Sequence, residues 1–180
     1  MISLPTECLF KIFNNLRNDY KSLFFSLLVN RQWCRIIVPI LWSEPTVHFG
    51  NRKLIKIFLL TLNTEEQTSL IPFKIAFQNY QKPLFEYTSY ITSVSDCLYN
   101  GIKNWLRHER HEIDCRLENA IKCSLISMFL RTSKNLKCLS LNGFNYNNIV
   151  FETLYKNTTI ISIHYYTNDG FKFKAIEVLV

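Results

Sequence analysis

Glycine is scarce in this chain, four residues in 180, and Gly50 and Gly101 each stand in isolation. That leaves no glycine-rich phosphate loop, of either the P-loop or the dinucleotide type. The six cysteines, Cys8, Cys34, Cys97, Cys115, Cys123 and Cys138, include no CxxC pair and no framework spacing, so reduced, mostly buried thiols are expected. Long apolar runs are missing too: residues 23–29 and 54–62 fall far short of the roughly 18 to 20 residues a membrane span needs. No basic segment or small-residue cleavage site follows Met1, which leads almost at once to Pro5 and Glu7. Cytoplasm, nucleus or both are the expected location.

What is present argues for a folded core. Hydrophobic residues make up 48% and aromatics 14%, which excludes general disorder, and the length suits one or two domains. A net charge of +7 favours an acidic protein, nucleic acid or an anionic surface as partner. Candidates for catalysis are thin. His108 and His111 with Cys115 and Cys123 could offer four zinc ligands, but the alternating signs of Arg107 to Glu112 fit a solvated helix end, and the spacing matches no standard site. No Cys/His pair is singled out as nucleophile and base. No metal, no cofactor and no catalysis by the chain itself are predicted.

Residues 4–45 organise the rest. Leu9, Ile12, Phe13 and Leu16 recur at helical spacing; so do Tyr20, Leu23, Phe24, Leu27 and Leu28, and then Trp33, Ile36, Ile37, Ile40 and Leu41. Three short helices are therefore expected in close succession. Pro5 suits a first turn, with Glu7 complementing the positive helix end; Asn18 or Asp19 can cap the second helix and Asn30 the third. Pro39 predicts that the third helix ends near Ile37 or restarts at Pro39. A bundle this small buries little, and domains below about 40 residues usually lean on a partner, metal or disulfides. Its apolar residues outnumber what three helices can hide, so a protein partner is expected to cover some of them.

This stretch resembles an F-box. Leu4-Pro5-x-Glu7, Cys8-Leu9, Ile12-Phe13, Leu16, the run from Leu27 to Trp33 and the closing Leu41-Trp42 fall where that motif places them, although the Val-Cys pair common at its centre reads Val29-Asn30 here. The resemblance implies a substrate-receptor subunit of a Skp-cullin-F-box type ubiquitin ligase, bound to a Skp-family adaptor and, through it, to a cullin scaffold. By the same analogy Leu4, Pro5, Glu7, Leu9, Ile12, Phe13, Leu16, Val29, Trp33, Leu41 and Trp42 form or support the adaptor interface.

After Pro45 the texture changes. A helix capped by Asn51 runs over residues 51–62, a polar connection covers 64–69, and Phe73, Ile75 and Phe77 alternate like a strand before a loop at Pro83. Helices are expected at 97–106 and along Leu117, Ile121, Leu125 and Met128, closing at Ser133 to Asn135. Leu136, Leu139 and Leu141 then fit an LxxLxL strand, and Ile160, Ile163 and Tyr165 repeat it twenty-four residues later, with a helical segment from Ile149 to Lys156 between them. This resembles the leucine-rich repeats that often follow an F-box. A further helix is expected from Phe171 to Leu179, leaving an unfinished edge, as in a truncated or short family member.

The predicted fold class is therefore α+β to α/β, with a three-helix F-box bundle over residues 1–45. Residues 46–180 follow as a helical linker and a short, irregular leucine-rich-repeat-like strand/helix solenoid, clearest at 136–180. Lys137, Ser140, Ser162 and His164 alternate outward on its strands and are nominated for target binding. The competing reading is a basic helix-turn-helix that binds nucleic acid. Its third helix would have to expose polar side chains, yet it commits Trp33, Ile36, Ile37, Val38, Ile40 and Leu41 to apolar surface. Neither nucleic acid nor a membrane is expected as a partner, and the target protein is unspecified.

Overall fold

The computed structural model describes residues 4–45, 50–75, 83, 85–112, 114–142, 146, 148–166 and 172–175. Three helices open the chain: α1 (Thr6–Asn15), α2 (Tyr20–Leu27) and α3 (Arg31–Ser43). Pro5 stands just before α1, where its carbonyl accepts from the amides of Cys8 and Leu9, both at 3.1 Å. Asp19 rather than Asn18 caps α2: its carboxylate accepts from the Ser22 amide at 3.1 Å and the Ser22 hydroxyl at 2.6 Å, which hold its pKa below the usual value. Asn30 caps α3 by accepting from the Trp33 amide at 2.9 Å.

Pro39 does not interrupt α3, contrary to the sequence expectation; the helix runs unbroken to Ser43. An interior proline costs about 3 kcal/mol. Against that, Ile36, Ile37, Val38 and Ile40 around it are all buried, and each buried aliphatic side chain contributes about 1.5–3 kcal/mol. Packing outweighs the lost amide bond. Leu9, Phe13, Leu23, Ile36, Ile37 and Ile40 form the small core of this bundle.

The remaining elements are α4 (Arg52–Leu59), α5 (Thr64–Thr68), β1 (Ser93–Val94), α6 (Cys97–His108), α7 (Cys115–Thr132), β2 (Cys138–Asn142), α8 (Asn148–Lys156), β3 (Ser162–Tyr166) and β4 (Lys172–Ala175), and a larger core draws on α4, α6, α7, α8 and β1 to β3. Asn51 caps α4, as expected. The polar connection at 64–69 is instead mostly the short helix α5, because Asn63 and Glu66 close a reciprocal capping box, side chain to amide in both directions at 2.8 Å. The strand expected at Phe73 and Ile75 is also replaced. Pro72 starts a single 3-10 turn over Ile71–Phe73, and Lys74 at φ 58° breaks the extended alternation; Phe77, Gln78, Asn79 and Gln81 lie outside the described residues. A second 3-10 turn, Tyr87–Tyr90, leads into β1.

The sheet has the order β1-β2-β3-β4. Leu139 pairs with Ile163 in a parallel ladder, so the twenty-four-residue offset seen in the sequence is the register of the sheet. The strand β1 adds a third parallel member, pairing Val94 with Leu139. The helix expected at Phe171 to Leu179 is overturned where it can be seen: Lys172–Ala175 is a strand, antiparallel to β3, with Ala175 opposite Ile163. Lys-Phe-Lys-Ala has period 2 rather than 3.6, and β4 covers the edge of β3 that was expected to stay unfinished. Asp169, Phe171, Leu179 and Val180 lie outside the described residues, as do Phe144 and Asn168.

Short β1 leaves the far end of β2 without a strand partner, and two tyrosines replace it. The Asn142 amide donates to the Tyr99 hydroxyl at 2.8 Å and to that of Tyr146 at 2.9 Å, while Tyr99 donates to the Ser140 carbonyl at 3.0 Å. Burial, with Tyr146 beside it, pushes the Tyr99 phenol well above its usual pKa. The cysteines are free but not mostly buried: Cys123 is buried, Cys34, Cys97 and Cys138 are half-buried, and Cys8 and Cys115 are exposed. Helical position decides this, since Cys8 and Cys115 stand in the first turns of α1 and α7 away from either core.

Candidate functional site

Two strips of the helical bundle differ in what covers them. On α2 only Leu23 is buried and Leu27 packs half-buried against the core, while Tyr20, Phe24 and Leu28 of the same stripe are exposed, with Phe25 67% and Leu28 65% accessible. Tyr20 stacks on Phe24 at 6.4 Å and Phe24 meets Phe25 edge-on at 6.1 Å, so these rings make one aromatic surface. Val29 continues it in the turn that follows, 61% exposed. Leu4, Phe10 and Ile12 are exposed at and along α1. This much large apolar surface on so small a bundle marks a place for a protein partner.

The residues nominated from sequence separate into three groups. Leu4, Pro5, Glu7, Ile12 and Val29 are exposed and available. Leu9 and Phe13 are buried, and Leu16, Trp33 and Leu41 pack half-buried against them, Trp33 edge-on to Phe13 at 5.0 Å; these support the surface from beneath. Trp42 belongs to neither group. Its indole stacks on Tyr87 at 4.3 Å and lies edge-on to Phe58 at 6.3 Å, in the larger core. Tyr20, Phe24 and Leu28 are exposed as well, signalled in the sequence by a stripe wider than one helix face can bury, and Phe25 adjoins that stripe.

The last turn of α3 is the seam between the two cores. The Ser43 carbonyl accepts from both the amide and the hydroxyl of Thr92 at 2.8 Å, while Arg17 donates to the Ser43 hydroxyl at 2.7 Å and pairs with Glu44 at 3.1 Å. The Thr92 carbonyl then accepts from Lys137 at 2.8 Å, and the Lys137 carbonyl from Ile161 at 2.9 Å. A row of backbone bonds thus continues from the end of α3 across the starts of β1, β2 and β3, fixing the bundle to the sheet.

The bundle is thus short, with side-chain caps on α2 and α3, an uncovered aromatic strip and a closing tryptophan. The F-box-like family model matches residues 1–48. Residues 1–48 are an F-box-like domain. F-box domains typically bind Skp-family adaptors; on this one Leu4, Pro5, Val29 and the α2 aromatics are exposed. No curated protein and no solved structure matches the chain.

Beyond the F-box, Lys137 is exposed and Ser162 and His164 are half-buried, with the Ser162 hydroxyl 3.1 Å from the His164 Nε2. Ser140 is buried, 8% accessible, so it does not face outward as its place in the alternation suggested. His108 is exposed beside Glu109 at 3.3 Å, and the His111 ring lies against Trp105 at 5.8 Å. Among the described residues no three His, Cys, Asp or Glu side chains are grouped to hold a metal ion, and no helix is long and apolar enough to cross a membrane.

Proposed function

We propose that this chain is a substrate receptor of a cullin-type ubiquitin ligase. The F-box docks on a Skp-family adaptor that tethers it to the cullin, and the strand/helix units of residues 46–180, similar to leucine-rich repeats, hold a target protein while other subunits carry out ubiquitin transfer. Its mechanism is geometric: binding two proteins at once raises the effective concentration of one at the other. On this reading no cofactor and no catalytic group are needed in the chain, which works in the cytoplasm, the nucleus or both; Lys137 just before β2, with Ser162 and His164 on β3, is offered to the target.

The observation that carries the reading is the uncovered strip of Phe25, Leu28 and Val29 on a domain matched as F-box-like. The helix-turn-helix alternative is disfavoured by α3, which buries four residues in a row of five and ties its last turn to Thr92. The test is capture of a purified Skp-family adaptor by the full chain and by Leu28→Asp with Val29→Asp. Both side chains are already in solvent, so the fold tolerates the change, while loss of central apolar anchors weakens binding by about tenfold or more. Undiminished capture by the double variant refutes the assignment of this surface.

A further inference from the structure

Outside the F-box, α8 leaves two aromatic side chains, Phe151 and Tyr155, uncovered. A groove of about 790 Å³ runs between this helix and β3, lined by Phe151, Leu154, Tyr155, Ile160 and Ile163, with Glu152 and Lys156 along one edge. Tyr155 is 93% exposed and Phe151 half exposed. The sheet topology explains why. Parallel strands need a crossover of a dozen or more residues, commonly a helix, and such a helix after β3 would pack beside α8. Only five positions separate Tyr166 from Lys172, and β4 turns back antiparallel, so among the described residues no crossover helix follows β3 to pack beside α8.

The charges beside the groove say what fits it. Glu152 and Lys156 stand one turn apart on the strip adjoining Phe151 and Tyr155. Among the described residues neither takes part in an ion pair, with the other or with a third group. A negative and a positive charge one turn apart form a pattern that matches its own reverse. When a second α8 crosses antiparallel about a two-fold axis, Glu152 of each copy faces Lys156 of the other, and the Phe151 and Tyr155 rings of the two copies meet between them. A parallel arrangement would oppose like charges. Two-fold contacts require self-complementary patches of this kind.

We propose that the α8 face is a homodimer contact, in which two copies of this chain pack their α8 helices antiparallel through Phe151 and Tyr155, with Glu152 and Lys156 pairing across the axis. The contact lies on a different helix from the F-box strip and does not depend on what the F-box binds. Two joined copies present two F-boxes and two sheets in one particle.

Sedimentation analysis of the full chain over a concentration series tests this. One chain weighs 21.4 kDa, and the expected result is a reversible shift to twice that mass. Tyr155→Asp raises the dissociation constant of the dimer by about tenfold or more without lowering the thermal midpoint, because the side chain is in solvent already. Glu152→Lys weakens association by opposing lysines, and adding Lys156→Glu to it restores wild-type association. A chain that stays monomeric throughout overturns the proposal, as does association that Tyr155→Asp leaves unchanged. A double swap that fails to restore the dimer overturns the antiparallel pairing, and association abolished by Phe25→Asp alone places the self-contact on the F-box instead.

Discussion

Truncating Trp42 to alanine separates two roles that the sequence assigns to one residue. If the indole faced the adaptor, its loss would weaken binding and leave the fold alone. The structure puts it on Tyr87 at 4.3 Å and against Phe58 at 6.3 Å, half-buried in the larger core. Removing a core tryptophan costs about 3–5 kcal/mol when it is fully enclosed, and partial exposure takes this toward the lower figure, about 3 kcal/mol. For a chain of this size each kcal/mol moves the thermal midpoint by about 2–4 °C, so a fall of about 6–12 °C is expected. Calorimetry reads that fall, and titration with the adaptor well below the midpoint should give an affinity within about threefold of wild type, under 1 kcal/mol. A normal midpoint with adaptor binding lost would refute the reasoning and return Trp42 to the interface.

Two further outcomes follow from buried polar groups. Glu66 accepts from Arg131 at 2.7 and 2.9 Å and from the Asn63 amide at 2.8 Å. Glu66→Ala should therefore cost about 2–3 kcal/mol in denaturant unfolding, below the 3–5 of a fully buried pair, because Arg131 is 41% exposed and screened; a change under about 0.5 kcal/mol would contradict the role given to it. The Tyr99 phenol is held well above its usual value of 10.0, first by burial and then by Tyr146. Its neutral form supports the fold, so that contribution is fully present below pH 10 and is lost as pH rises beyond it. Stability should drop on the alkaline side of pH 10, and Tyr99→Phe should flatten that drop; an identical alkaline profile in the variant would contradict the assignment.

The local chemistry of helix starts was plain in the sequence. Asn30 and Asn51 cap the helices assigned to them, because a short polar side chain before an apolar stripe has few other uses. The offset between Leu139 and Ile163 was legible for a similar reason, since the strand period and the intervening helix both leave residue-type signatures. Long-range competition was not. Pro39 stays helical because flanking side chains are buried from two sides, which no local rule records. The strand β1 has the same apolar spacing, Ile91 and Val94 against Leu136 and Leu139, but α6 and α7 both intervene and lengthen the offset to forty-five residues, so no fixed period reveals it. For the candidate site, the excess of apolar residues on residues 4–45 was visible, whereas their division was not: Leu9 and Phe13 went inside, Phe25 and Leu28 stayed out, and Trp42 crossed to the other core.

The seam at Ser43 gives that division a consequence. The F-box is tied to the first rung of the sheet through Thr92, and Thr92 to the next two rungs through Lys137 and Ile161. A target held on the sheet would therefore keep a set orientation toward the adaptor, which is what a receptor acting by geometry requires. Titration of the full chain with a purified Skp-family adaptor tests the account most directly. Saturable binding with one adaptor per F-box, lost in the Leu28→Asp, Val29→Asp variant, is the predicted result; no complex between the folded wild-type chain and the adaptor would contradict it.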